Sequence, residues 1–444
     1  MPSPRAQARD IPLSRILIPW IVPGLIAAII LLGFALPDSG NPDVALTLFA
    51  LMGCLAAALW AIPTKETPRL KDRPYLLPVL LSCAFLALVV LYMPIKSGLF
   101  PHSMRLGMLY DPSNGYVEIL KLAGLACALL VGFRSAQNDA AGKRVMTAIL
   151  VVVGAWALAS IIMYLLDPDG VYGITKVAKG RLTGAFGSAN SAATLFGSTA
   201  IIAMGMAISS YFSRQSPRVV DRLNTTAVVV TILCFGALGL TVSRSGIFAT
   251  ILCAAVVIFA LTWKKVPPGR LLIVGIGCVV LVAIALGGSM ASLIHRMGEV
   301  SQDAQIRALA FKTHFDIARH QAFFGSGLGS FNTVNSAILN ETTYHELSLI
   351  KAAHNVYLQW FEEAGLVGLL AIGAVNVTLL WPMVIASQRR QSVGPRIVTI
   401  LGAYLVFLVH GLTDYAFQEP VLEIFVAVLL GVGFALATNS RRAD

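Results

Sequence analysis

The chain has 444 residues, 57% of them apolar and only 12% charged, and its formal net charge is +11. Soluble domains carry about 25% charged residues, so this composition excludes an ordinary soluble enzyme, a disordered chain and a disulfide-rich secreted domain. We interpret the chain as an integral membrane protein.

Apolar runs of membrane-crossing length recur along the whole chain. A transmembrane helix needs about 20 predominantly apolar residues, or about 17 when it is short. This criterion predicts an all-α polytopic membrane protein in which residues 1–444 form a single transmembrane domain. The twelve predicted spans are 16–36, 44–63, 75–93, 116–133, 145–166, 190–211, 224–243, 245–263, 271–287, 364–386, 397–416 and 421–438.

Basic residues indicate which ends of the predicted spans face the cytoplasm. Of the 33 lysines and arginines, 21 lie in the seven segments that twelve spans place on one side. Cytoplasmic segments carry such an excess, so we expect both termini in the cytoplasm. The basic residues are not clustered with aromatic ones, which argues against a nucleic-acid partner.

One predicted outer loop, residues 288–353, is 66 residues long. A loop of that length usually has structure of its own. Its stretch 301–320 lacks proline and glycine and predicts a helix, with Ser301 or Asp303 as the cap. Three glycines in the following FFGSGLGSFN predict a tight turn. None of the seven histidines lies in a predicted inner loop, so we place the candidate active site at the outer end of the spans.

Arginines at the outer ends of predicted spans are candidate anion ligands. Arg244 lies between two apolar runs with no room for a loop, where an arginine is costly unless it has a role. The alternative is an anchor that reaches the headgroups. Arg181 precedes a span that Asn190 can cap, and a helix N-terminus beside an arginine predicts an anion site. An ordinary capped helix is the competing interpretation.

The predicted loop helix carries Arg307 and His314, which are seven residues apart and therefore share one face. Charges of both signs balance along the loop. Affinity for an anion would therefore come from individual arginines, and most of the other charges here are interpreted as solvated.

His354 ends the long loop, and Asn355, Gln359 and Glu362 follow it at helical spacing. Histidine can accept a proton from a hydroxyl at neutral pH. We therefore interpret His354 as a candidate general base above a polar stripe. The competing interpretation is a surface histidine at the start of a helix.

The sequence predicts no metal site. Asp167 and Asp169 form a D-x-D pair whose spacing can bind a divalent metal, but the proline between them favours a turn. The six cysteines all lie in apolar stretches, so we predict no disulfide and no zinc site. Glu118, Lys121 and Glu423 lie inside predicted spans and are interpreted as structural or as lining a cavity.

Four short motifs occur in a specific order along the chain. They are a G-x-F-G-x-x-N entry at residues 184–190, an S-R-S-G sequence that contains Arg244, the block 307–331, and H-N-x-x-L-Q-x-x-x-E-x-G-x-x-G at residues 354–368. Together with the twelve-span layout, they resemble the O-antigen ligase and polymerase superfamily of bacterial envelope glycan assembly. The sequence departs from the family pattern at Phe311, where the family often has tryptophan, and in lacking a proline-containing turn after the loop helix.

The resemblance implies a GT-C-like glycosyltransferase of the bacterial inner membrane, inverting and independent of metal and cofactor, with a periplasmic active site. Its donor would be a glycan on undecaprenyl pyrophosphate, and a ligase would transfer it to a sugar hydroxyl of lipid A-core. His354 would be the base. Arg244, Arg307 and Arg181 would bind the pyrophosphate. The supporting residues would be Asn190, Asn355, Gln359 and Glu362.

Two other functions stay open at this point. A polymerase that extends the glycan on its undecaprenyl carrier shares the same motifs, although one dominant loop near the C-terminal third favours a ligase. A secondary transporter or lipid flippase is the alternative from another class. It would predict repeat symmetry and charged groups near the midplane, whereas the two halves of this chain do not match.

Overall fold

The fold was analysed in a computed structural model. It describes residues 13–36, 42–62, 74–99, 111–175, 179–212, 217–263, 265, 297–341, 343–348 and 350–439. Within these ranges the chain is mostly helical, which confirms the predicted fold class at this level. A two-residue antiparallel pair, Gly170–Val171 with Ile174–Thr175, lies in the loop after the fifth helix.

The helices follow one another closely along the chain. We number them α1 (Leu13–Ala35), α2 (Pro42–Ala61), α3 (Leu76–Leu99), α4 (Pro112–Ser135), α5 (Asp139–Leu166), α6 (Ala189–Phe212), α7 (Pro217–Leu240), α8 (Arg244–Thr262), α9 (Met297–His320), α10 (Phe331–Ile338), α11 (Tyr344–Leu347), α12 (Val356–Arg389), α13 (Gly394–His410) and α14 (Pro420–Asn439). A short 3₁₀ turn, Ala416–Gln418, precedes the last helix.

Two helices form the centre of the bundle. In their most apolar windows, 83% of α6 and 89% of α14 is buried, against 22–50% for the other long apolar helices. The helix α14 packs against α4, where Gly132 and Gly431 let the two backbones approach closely. Small residues at helix contacts are typical of membrane bundles, because close backbone packing replaces the hydrophobic drive that is absent in lipid.

Eight of the described helices are long and apolar enough to cross a membrane, and three shorter apolar helices lie at Leu76–Tyr92, Thr225–Leu240 and Gly394–His410. These eleven match eleven of the predicted spans in order. The predicted span 271–287 lies outside the described residues, so the total of twelve stays a prediction. The chain is a multi-pass membrane protein.

The prediction of the eleventh span was wrong at its outer end. The helix α13 ends at His410, whereas the apolar pattern predicted a span to residue 416. The backbone turns there because the N–H groups of Gly411, Leu412 and Thr413 bond back to the last turn of the helix. Residues 411–419 are therefore a loop rather than part of a span.

The long loop contains three helices, α9 to α11. The predicted helix at 301–320 is confirmed, but it begins earlier, at Met297, and so Ser301 and Asp303 lie inside it rather than at its cap. The predicted cap was wrong because no helix-breaking residue other than a single glycine separates 297 from 301, and a single glycine is tolerated in a helix.

The glycine turn after α9 is confirmed and clamps the start of α12. Gly325, Gly327 and Gly329 all have positive φ. The long helix α12 is broken at Gly365, which has a φ of 67° and a ψ of −173°. The break frees the carbonyls of residues 362 and 363, which accept from Ser326 and Gly327, while the N–H groups of residues 366 and 367 donate to the carbonyls of 322 and 323. Four backbone hydrogen bonds thus join the loop to α12.

We expect Gly365→Ala to lower the free energy of unfolding by at least about 2 kcal/mol, because alanine is strained at this positive φ and its Cβ would overlap the Phe323 carbonyl. The matched control is Gly373→Ala on the same helix, where an added Cβ meets no atom within 4 Å. That control should be neutral or stabilise by up to about 1 kcal/mol. Denaturant unfolding of the purified proteins in detergent measures both, and equal effects would contradict the clamp.

Candidate functional site

Four chain segments meet at one end of the bundle. They are 181–190 before α6, 241–245 between α7 and α8, 353–355 before α12, and 410–415 after α13. Hydrogen bonds and a charge contact join all four. We call this group the end cluster. It contains the candidate residues Arg181, Arg244 and His354 of the sequence analysis.

The carboxylate of Asp414 lies in the middle of the end cluster and is fully buried. Its Oδ1 accepts a hydrogen bond of 3.3 Å from Asn190 Nδ2 and lies 3.5 Å from His354 Nδ1. Burial acts to raise the pKa of Asp414. The neighbouring His354, His410 and Arg307 outweigh that effect, so the pKa of Asp414 lies below its ordinary value. Asp414 is therefore ionised at neutral pH.

The loop before α6 contributes Arg181 to the end cluster, and Asn190 contributes its side-chain amide as the second residue of α6 rather than as the predicted cap. Arg181 Nε donates to the Thr241 carbonyl at 2.9 Å, and its Nη2 donates to Asn190 Oδ1 at 3.3 Å. Ser243 Oγ donates to the same Asn190 oxygen at 2.8 Å. The amide of Asn190 thus joins an arginine on one side to the Asp414 carboxylate on the other, which fixes the position of a guanidinium beside the N-terminus of α6.

Arg244 is the first residue of α8, and its side chain is exposed. Both neighbours are held in the end cluster: Ser243 caps the helix and bonds to Asn190, and Ser245 Oγ lies 3.0 Å from His410 Nε2. Among the described residues, no partner holds the Arg244 guanidinium. An arginine at the positive end of a helix repels its own helix dipole and is suited to an anionic ligand.

Arg307 reaches the end cluster from the long loop. Its Nη1 donates to the Thr413 carbonyl at 2.9 Å, immediately before Asp414. His314, which shares a helix face with Arg307 in the sequence analysis, has a different environment. Its Nδ1 lies 2.9 Å from Glu362 Oε2, and both side chains are fully buried. The loop helix therefore places one of these residues in the end cluster and the other in the core of the loop.

His354 is held in a strained backbone conformation. Its φ is 50°, and Val242, next to Ser243, has a φ of 53°. Non-glycine residues rarely adopt this region, and such strain concentrates at functional sites. The imidazole is 24% exposed and lies perpendicular to the ring of Tyr415 at 5.0 Å. Burial and the charge of Asp414 raise the pKa of Tyr415 to about 12, so that its hydroxyl stays neutral.

Two of the three further polar residues near His354 bond to backbone groups, and the third pairs with a buried histidine. Asn355 caps α12 by accepting from Tyr357 N and Leu358 N, and its Nδ2 donates to the Leu412 carbonyl. Gln359 Oε1 accepts from Ala353 N at 3.2 Å, next to His354. Glu362, the third member of the predicted stripe, pairs with His314 instead.

Glu363 connects the histidine segment to the glycine turn. Its Oε1 accepts from Gln359 Nε2 at 3.0 Å, and its Oε2 accepts from Gly329 N at 2.9 Å. Because Gln359 in turn holds Ala353 N, a continuous chain of hydrogen bonds runs from the turn to the residue before His354. The sequence analysis assigned a role to Glu362 and none to Glu363.

Asp414 is the principal residue that sequence reasoning missed. It was hidden because the apolar pattern extended the eleventh predicted span over residues 411–416. An ionisable residue inside a predicted span indicates function by itself, and that signal applied to Asp414 in HGLTDYAF. The sequence predicted only that His410 lies near the outer end of its span and gave it no role. It is buried and joins three helices, with Nδ1 2.6 Å from Thr194 Oγ1 and Nε2 bonded to Ser245.

The acidic pair Asp167 and Asp169 lies in a turn after α5. Asp167 Oδ1 accepts from Asp169 N at 3.2 Å, and Asp169 Oδ1 accepts from Gly180 N at 2.9 Å. These are the contacts of the turn that the sequence favoured over a metal site. Among the residues that the structure describes, no group of three histidine, cysteine or acidic side chains has a metal-binding arrangement.

The hydrogen-bond chain through Gln359 and Glu363 makes a prediction about exchanged side chains. Gln359→Glu would place two carboxyl groups in contact, and Glu363→Gln would leave two hydrogen-bond donors facing each other. Each should cost about 1–3 kcal/mol of unfolding free energy. The double exchange rebuilds every hydrogen bond and should recover most of the loss, measured by denaturant unfolding. Additive losses in the double variant would contradict the connection.

A comparison with known families gives a match in the middle of the chain. Residues 229–373 match the family model described as O-antigen ligase. The matched region contains Arg244, Arg307 and His354, whereas Arg181, Asn190 and Asp414 lie outside it. No curated protein matches the chain. The matched residues are about a third of the chain, and the match agrees with the resemblance of the sequence motifs to the O-antigen ligase and polymerase superfamily.

Proposed function

We propose that the protein is a lipopolysaccharide O-antigen ligase of the bacterial inner membrane, with both termini in the cytoplasm. It transfers a glycan from undecaprenyl pyrophosphate to a sugar hydroxyl of lipid A-core at the periplasmic face. The observation that carries this proposal is the end cluster itself, where a histidine beside a buried carboxylate shares one end of the bundle with three arginines.

The reaction is a single displacement at the anomeric carbon. The acceptor oxygen forms the new bond to that carbon, and the bond to the pyrophosphate breaks with its electron pair going to the leaving group. The configuration is therefore inverted. His354 accepts the proton of the acceptor hydroxyl. Its Nδ1 faces Asp414 at 3.5 Å, so Nε2 takes the proton and the buried carboxylate stabilises the imidazolium that results.

The arginines stabilise the charge that grows on the departing pyrophosphate. Guanidinium groups bind phosphate oxygens through two parallel donors and stay charged. Arg181 is held by Thr241 and Asn190, and Arg307 by Thr413, so both positions are fixed before the substrate binds. Such preorganised charge is the largest source of catalysis in many enzymes. Because arginines supply it, the proposed mechanism requires no metal ion.

The choice of a ligase over a polymerase rests on the loops. The loop between α5 and α6 is short and contains a two-residue antiparallel pair, while α9 to α11 form one long loop that supplies Arg307. A polymerase of this superfamily often has two sizeable outer loops with arginines. The single long loop therefore supports a ligase, in which the acceptor is a different kind of molecule from the donor.

The test of this proposal is transfer by the purified protein, with undecaprenyl-pyrophosphate-linked glycan and rough lipopolysaccharide. We expect product on the lipopolysaccharide without added metal and in the presence of EDTA. Longer glycan that stays on the undecaprenyl carrier would identify a polymerase. A folded sample that gives neither product would support a transporter, and inhibition by EDTA that Mg²⁺ reverses would contradict the metal-independent mechanism.

Two substitutions test the base and its partner. His354→Ala should reduce kcat by about 10²–10⁴-fold, the usual contribution of a general base. Asp414→Asn should reduce kcat less, by about tenfold or more, because the imidazolium loses its charge partner but the imidazole remains. The exposed His320→Ala at the end of α9 is the matched control and should leave transfer unchanged. Normal kcat in the His354 variant would remove the base from the mechanism.

A further inference from the structure

Three phenylalanine side chains are exposed on the long loop. Phe311 and Phe315 of α9 are each 45% exposed, and their rings stack at a centroid distance of 6.0 Å. Phe323, in the turn that follows, is 69% exposed. We call these three residues the loop aromatic face. Single exposed phenylalanines are common, whereas a stacked exposed pair with a third exposed phenylalanine in the next turn indicates an interaction site.

The helix α9 is amphipathic about this face. Ala310, His314 and Ala318 are buried on the side that packs toward the rest of the protein. Phe311 and Phe315 lie on the exposed side, and the basic residues Lys312 and Arg319 are exposed beside them. An aromatic strip bordered by basic side chains is the pattern of a helix that lies in the plane of a membrane interface.

The loop aromatic face is continuous with the lipid-facing surface of the spans. The ring of Phe315 lies 6.3 Å from that of Phe361 on α12, and the Phe323 carbonyl accepts from Val367 N. Exposed Leu366 and Leu370 then continue down α12.

We propose that the loop aromatic face lies on the outer leaflet of the lipid bilayer, with Lys312 and Arg319 at the phosphates of the headgroups. Continuity with the spans argues for lipid rather than for a second copy of the chain or another protein. The depth of Phe323 along the membrane normal also agrees with this proposal. Its carbonyl accepts from Val367 N, close to residue 364, where the predicted span starts. Arg307 is on the same helix, so the contact holds that arginine at the level where a lipid-linked molecule arrives.

The experiment places a photoreactive side chain on this face in the full-length protein. Phe311→benzoylphenylalanine and Phe315→benzoylphenylalanine are reconstituted in nanodiscs of phosphatidylethanolamine and phosphatidylglycerol and irradiated. The matched control is His320→benzoylphenylalanine, which is exposed on the same helix and rotated by about 180° from Phe311. Mass spectrometry of the peptides counts phospholipid adducts.

We expect at least about fivefold more phospholipid adducts at 311 and 315 than at 320. Equal yields at the three positions, or crosslinks mainly to a second copy of the chain, would overturn the proposal. The unsubstituted protein gives a second measurement, since a carbene reagent confined to the bilayer should label the peptides that contain Phe311, Phe315 and Phe323. Absence of that label would also overturn it. Neither measurement depends on transfer activity, so the result is independent of the proposed ligase function.

Discussion

A carboxylate buried at the end of a membrane bundle needs charge partners, and the partners of Asp414 determine how this end of the molecule is built. An unpaired ion there would be neutralised or would destabilise the fold. Asn190 donates to it from the start of α6, and His354 approaches from the start of α12. Arg307 bonds to the preceding carbonyl from the long loop. One negative charge thereby brings together chain segments that are more than 200 residues apart in sequence.

The long loop is joined to the membrane domain by backbone as well as by charge. The break at Gly365 exposes carbonyl and N–H groups of α12, and the turn at 322–327 pairs with them. In lipid such groups must be satisfied within the protein, so the break and the turn depend on each other. Below the break, α12 is a membrane-length apolar helix. Above it, the first turns of α12 carry Gln359 and Glu363 into the loop.

The apolar pattern was sufficient to predict the helical class, the order of eleven spans, the helix in the loop and the glycine turn. It failed where a boundary depends on a few polar contacts. The end of α13 at His410 is set by turn hydrogen bonds and a buried aspartate, neither of which changes the apolar average. Helical spacing predicted that Arg307 and His314 lie together, but their contacts in the structure place them in different environments. Helical spacing also selected Glu362 for the polar stripe, whereas the hydrogen bond to the glycine turn is made by Glu363. The motifs included His354 but not Asp414, the carboxylate that lies beside it.

The hydrogen bonds of Glu363 have a mechanical consequence. One side-chain oxygen holds Gly329 in the turn, and the other holds Gln359, which supports the peptide before His354. The loop and the histidine segment therefore share a single support, and a displacement of the turn is transmitted to the imidazole. Under the proposed function, a molecule that displaces the loop as it enters would change the distance between His354 and Asp414, and occupancy of the loop would be coupled to the position of the proposed base.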